Sequence, residues 1–197
     1  MKPLHIAIAV QAFPNILQTY IQSHLASLKK NGVQITDIAR EKRDYKKLPS
    51  IISEQHLMDD VIYLDTRPKD LFKAALTPPV FNASYRAAIR SIFKFNSWHK
   101  YEKCYALKAI IRARAFTHGH FDILHSHSLF ASYNYLFMKD ALSIPLVTTY
   151  HGQVPRGVNK LDERKLKKVL HTGDAVSYTH LRAHETGSGI SYAVFCV

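Results

Sequence analysis

Histidine stands at the end of two apolar runs in this chain, and those are the places where side-chain chemistry is best positioned. FDIL at 121–124 is followed by His125-Ser126-His127-Ser128, and IPLVTTY at 144–150 is followed by His151-Gly152. If FDILH is a strand, alternation sends His125 and His127 to the same side. Two such imidazoles could hydrogen-bond within the fold, contact a sugar hydroxyl or ligate a metal, although the sequence offers no evident third ligand. His151 could cap its strand, donate to a hydroxyl or move a proton, because imidazole titrates near neutrality. Gly152 lets backbone approach a ligand closely. A third polar loop, QAFPNILQT at 11–19, joins an opening apolar run to a helical pattern. Backbone N–H groups and the helix dipole favour an anion there. The loop is poor in glycine, so it is neither a dinucleotide fingerprint nor a P-loop.

The elements that would position these residues alternate. LHIAIAV at 4–10 reads as a buried strand, and Leu17, Ile21, Leu25 and Leu28 mark a helical face over 15–30. Lys29 and Lys30 suit that helix's C-terminal dipole, and Asn31-Gly32 should cap it. VQITDIA at 33–39 alternates as a strand does, completing a βαβ unit. Strands are further expected at 61–64, 121–125 and 144–150. Helical segments are expected within 69–118, over 129–142 and over 160–171, and Gly173-Asp174-Ala175 should open the next strand. The pattern predicts an α/β fold with a Rossmann-like, doubly wound parallel sheet, whose ligands bind at the carboxyl ends of the strands.

Composition narrows the function classes. The chain has 197 residues, 47% hydrophobic, enough for one domain with a real core. Two cysteines make neither a disulfide framework nor a metal cluster, so a reduced, cytoplasmic setting is expected. No run reaches the roughly 18 apolar residues of a membrane span. The net charge of +12, concentrated at 42–47 and 160–168, calls for an anionic partner. Nucleic acid is one such class, but no helix-turn-helix, zinc-finger or RNP-type motif accompanies the charge. An anionic lipid surface is another.

The C-terminus reads differently. VSYTHLRAHET at 176–186 matches one frame of a common transposase-type sequencing adapter. After three residues in the place of a barcode, ISYAVFC at 190–196 continues the same frame. The expected organisation is therefore a domain over 1–175 and a non-native tail over 176–197 with no domain of its own. His180 and His184, spaced i, i+4 within it, need no chemical explanation.

Order and spacing of the remaining motifs carry a resemblance. AFPNILQTYIQSHLASLKKNG, FDILHSH, IPLVTTYHG and GDAV follow one another much as in the family 4 type GT-B glycosyltransferases. The chain departs from that pattern at Leu17-Gln18, where the family has a Ser-Glu step, while Thr19 is kept. The resemblance implies the N-terminal, acceptor-side half of a GT-B fold, incomplete because the C-terminal domain is missing. It also implies retaining transfer of a sugar from a nucleotide-sugar to an acceptor hydroxyl, in polysaccharide, capsule or lipopolysaccharide synthesis. No cofactor and no metal are expected, the nucleotide-sugar being a substrate. By that resemblance His151 approaches the donor sugar and is the catalytic candidate. Phe13, Pro14, Thr19, His127 and Gly152 are the substrate-binding candidates. The partners are the nucleotide-sugar and a sugar or lipid-linked acceptor, with no nucleic acid. The expected location is cytoplasmic, and the net charge of +12 fits peripheral attachment to the inner face of a plasma membrane. The fragment alone should be inactive, and the alternatives are a binding-only module for an acceptor or anionic lipid and a basic nucleic-acid-binding domain.

Overall fold

The computed structural model describes residues 2–64, 78–94, 105–150, 160–179 and 192–196. Among them run β1 (His5–Phe13), α1 (Thr19–Lys30), β2 (Gln34–Lys42), a short α2 (Ser50–Glu54) and β3 (Val61–Tyr63). Then come α3 (Ala83–Lys94), α4 (Tyr105–Ala115), β4 (Ile123–Ser126), α5 (Leu129–Leu142) and β5 (Leu146–Tyr150). The series ends with α6 (Lys160–Thr172), β6 (Ala175–Thr179) and β7 (Tyr192–Cys196).

The strands form one sheet in the order β3-β2-β1-β4-β5-β6-β7. The first six are mutually parallel, and β7 pairs antiparallel with β6. This is the doubly wound α/β architecture that the alternating pattern predicts. Strand order reverses direction between β1 and β4, the switch point where such sheets open a crevice at their carboxyl ends.

Both faces of the sheet are covered, as parallel sheets require. Alternation along β1 divides its side chains between two cores. Ile6, Ile8, Val10 and Phe13 pack with Ile21 and Leu25 of α1 and with Ile35, Ile52 and Leu57. Ala7 and Ala9 face the other core, which holds Tyr85, Ala88 and Ile92 of α3 together with Leu129, Leu136 and Met138 of α5.

The capping signals hold. Gly32 has φ 74°, its N–H donates to Lys29 O at 2.9 Å, and Val33 N–H donates to Leu28 O at 3.1 Å. That pair closes α1 as a Schellman motif. Ser128 caps α5, its hydroxyl accepting from Ala131 N at 3.0 Å.

Two boundaries differ from expectation. β1 runs on through Phe13, and α1 starts at Thr19 rather than near 15. The intervening turn is stitched by Asn15. Its carbonyl accepts from Gln18 N at 3.0 Å and from Gln22 Nε2 at 2.9 Å, and its side-chain oxygen accepts from Leu17 N at 3.2 Å. These bonds satisfy the segment as a loop, so helix geometry begins only beyond it. The sheet also continues past position 175. Val176, Ser177 and Thr179 pair within β6, and Tyr192–Cys196 adds β7 beside it. VSYT and YAVFC are rich in β-branched and aromatic residues, which fit a pleated ladder whatever the origin of the segment.

Candidate functional site

The carboxyl ends of β1 and β4, together with α1, bring three histidines into one cluster. Pairing fixes the register, with Ile8 opposite His125 and Ala9 opposite Ser126. Alternation then turns Leu124 and Ser126 to one face and His125 to the other. His127 follows on the same side as His125, its backbone N–H directed at Ala9 O at 3.5 Å. The two rings lie 4.7 Å apart between centroids, as the sequence spacing predicts.

The third ring is one the sequence did not announce. His24 Nδ1 lies 3.2 Å from His127 Nε2, bridging 103 positions. The His24 ring meets both partners nearly edge-on, at 5.1 Å from His125 and 5.2 Å from His127. One signal was available. Tyr20 and His24 are spaced i, i+4 and so share a face of α1, and the Tyr20 ring stands 6.2 Å from that of His127. Thr149 of β5 completes the group, its Oγ1 lying 2.8 Å from His125 Nε2.

His127 is 8% exposed, whereas His24 and His125 are half-buried. Burial lowers the pKa of His24 below the ordinary imidazole value, which keeps the ring neutral near pH 7. A neutral ring offers one N–H donor and one bare nitrogen. The cluster can therefore pass a hydrogen bond from ring to ring, meet a hydroxyl, or present lone pairs to an ion. Among the described residues these three form the group whose nitrogens lie close enough to hold one ion.

The other candidates sit as follows. Phe13 is 1% exposed and packed in the α1-side core, and Pro14 beside it is buried. The surface of that loop is instead made by Ile16, Leu17, Thr19 and Tyr20, with Leu17 82% exposed. Thr19 opens α1 on the same rim as Tyr20. His151 and Gly152 lie outside the described residues, although Tyr150 before them ends β5 at the same edge of the sheet.

A concavity of ≈ 820 Å³, bordered by Arg90, Lys139, Ser143 and Asp174, lies at the opposite, amino-terminal end of β5. Two of its charged groups are engaged with each other. Lys139 pairs with Asp174 at 2.9 Å, and the Asp174 carboxylate accepts from Leu146 N at 2.7 Å. They close the connection between β5 and β6 rather than face a ligand.

The family model described as Glycosyltransferase Family 4 matches residues 17–180. No curated protein matches the chain. The crystal structure of Acinetobacter baumannii MurG is similar at 11% identity with a TM-score of 0.39, the match covering 94% of this chain and 43% of that one. This chain thus spans less than half the length of that protein.

Proposed function

The chain belongs to glycosyltransferase family 4, and from that premise we propose that it is the acceptor-side domain of an enzyme that moves a sugar from a nucleotide-sugar to an acceptor hydroxyl. The family match over 17–180 carries this reading, because it takes in α1, the His125–Ser128 end of β4 and the whole of β5. We assign retention of anomeric configuration and a role in polysaccharide, capsule or lipopolysaccharide assembly on the same ground.

In this reading the acceptor lies along the rim made by Thr19, Tyr20 and His127. Tyrosine and imidazole suit a saccharide, since each combines an apolar ring with a hydrogen-bonding tip. The family resemblance gives His151 the approach to the donor sugar. Charge developing on the leaving diphosphate needs preorganised positive groups around it. In GT-B enzymes those come from a second domain, so an acceptor-side domain on its own binds acceptor without transferring sugar.

Exposed apolar side chains on the same rim, Ile16 and Leu17, and the net charge of +12 favour seating against an anionic membrane that carries lipid-linked acceptors. No helix among the described residues is long and apolar enough to cross a membrane.

The test is binding of the chain to an array of lipid-linked and free oligosaccharides, followed by a transfer assay with each common nucleotide-sugar. Saturable saccharide binding, weakened by Tyr20→Ala, supports the assignment. Salt-sensitive binding to nucleic acid without any saccharide binding overturns it. Transfer by this chain above a His151→Ala control overturns the claim that a second domain is required.

A further inference from the structure

We propose that His24, His125 and His127 form a binding site for a single divalent d-block cation of the zinc type, with one coordination position left open at the carboxyl edge of the sheet. The site shares His127 with the acceptor rim described above, but it is tested without any sugar.

Geometry carries it. The three candidate ligand atoms all lie within 4.8 Å of one another. A tetrahedral zinc site with Zn–N of about 2.0–2.1 Å places its nitrogens roughly 3.3 Å apart. His24 Nδ1 and His127 Nε2 already stand at 3.2 Å. The widest separation exceeds that spacing by at most about 1.5 Å, a gap that side-chain rotation has to close. His125 stands on β4, pinned between β1 and β5, and His24 on the middle turns of α1, while His127 follows one residue past the end of β4. Ligands on regular elements hold their positions better than ligands on a loop.

The donor set selects the ion. No carboxylate or thiolate belongs to the group. Magnesium and calcium prefer oxygen ligands, whereas imidazole suits zinc, cobalt, nickel and copper. Three neutral rings leave the charge of a divalent ion uncompensated, so the open position favours an anionic oxygen: hydroxide, carboxylate or phosphate. An outer partner is in place as well. A ligand histidine ordinarily fixes its orientation through its second nitrogen, and Thr149 Oγ1 lies 2.8 Å from His125 Nε2.

In the ion-free chain the same rings are held by one imidazole–imidazole hydrogen bond, so the rival is a purely structural cluster. Titration of the metal-free chain with Co2+, followed by visible absorption, separates the two. The expected result is an intense ligand-field band of a four-coordinate site, saturating at one equivalent, bleached by Zn2+ and indifferent to excess Mg2+. His24→Ala sits at a half-exposed helix position that alanine favours, so the fold is retained. It should weaken binding roughly tenfold or more, and Thr149→Val by about tenfold. The pair His180→Ala/His184→Ala should leave binding unchanged. X-ray absorption of the zinc-loaded chain should show about three imidazole nitrogens at about 2.0–2.1 Å. Absence of a saturable band overturns the proposal. So does wild-type affinity in His24→Ala, loss of the band in His180→Ala/His184→Ala, or fewer than three imidazoles around zinc.

Discussion

The Ser132 hydroxyl of α5 and the Thr148 hydroxyl of β5 meet at 2.7 Å, both fully buried. Ser132 also reaches Ser128 O at 3.1 Å, so Thr148 depends on Ser132 while Ser132 has a second partner. Ser132→Ala leaves a buried hydroxyl unpaired and should cost about 1–3 kcal/mol. Thr148→Val should cost clearly less, and the double variant should be less destabilised than the sum of the two. Urea denaturation of the three variants checks this, and equal costs for the single variants would contradict the asymmetry.

Asp37 of β2 is 0% exposed, and neither carboxylate oxygen has a hydrogen-bond partner. Burial first, and the Asp60 carboxylate second, push its pKa well above the ordinary 3.8, against a smaller pull from Lys29. The folded state therefore holds this proton more tightly than the unfolded state does. Its contribution is complete below the unfolded pKa and declines as pH rises through the folded one. Each unit of difference corresponds to about 1.4 kcal/mol. Asp37→Asn should flatten this loss and raise the melting temperature at neutral pH. A pH series of melting curves for both proteins reads it directly, and identical slopes would refute it.

Gly32 holds φ 74° at the end of α1, with open space where a side chain would go. Only the backbone conformation opposes substitution, so Gly32→Ala should cost roughly 1–2 kcal/mol. Gly32→Asn should cost less, because asparagine tolerates this region. Chemical denaturation ranks the three, and a neutral alanine would show that the helix end rearranges.

Leu17 is 82% exposed on the rim above the histidine cluster. Leu17→Asp should change stability by no more than about 0.5 kcal/mol. It should still lower co-sedimentation with anionic vesicles if this rim seats on a membrane. Unchanged vesicle binding would remove Leu17 from that contact.

The sheet was legible because its strands are short apolar runs punctuated by glycine and proline, and helix α1 because its leucines repeat at helical spacing. The alternation in FDILHSH also placed His125 and His127 side by side. Other features needed the third dimension. His24 reaches His127 across 103 positions, and no local spacing encodes that approach. The burial of Asp37 is another such feature, since α1 covers the face of β2 that it shares with Ile35 and Ala39. Phe13-Pro14 was legible as a turn. Its side chains proved to serve the core, because β1 continues three residues further than its first apolar run, carrying the phenylalanine inward.

The central position of β1 also sets a timetable for synthesis. On one flank it pairs with β2, close behind it in sequence. Its other flank waits for β4, a join where His5 N donates to Asp122 across 117 positions at 2.8 Å. A nascent chain that has emerged only as far as α4 carries β1 with one row of backbone N–H and C=O groups uncovered, open to wrong pairing. Emergence of FDILHSH from the ribosome completes the sheet's centre and gathers the three imidazoles in the same event. The strand that completes the centre of the sheet is thus also the piece that brings its reactive side chains together.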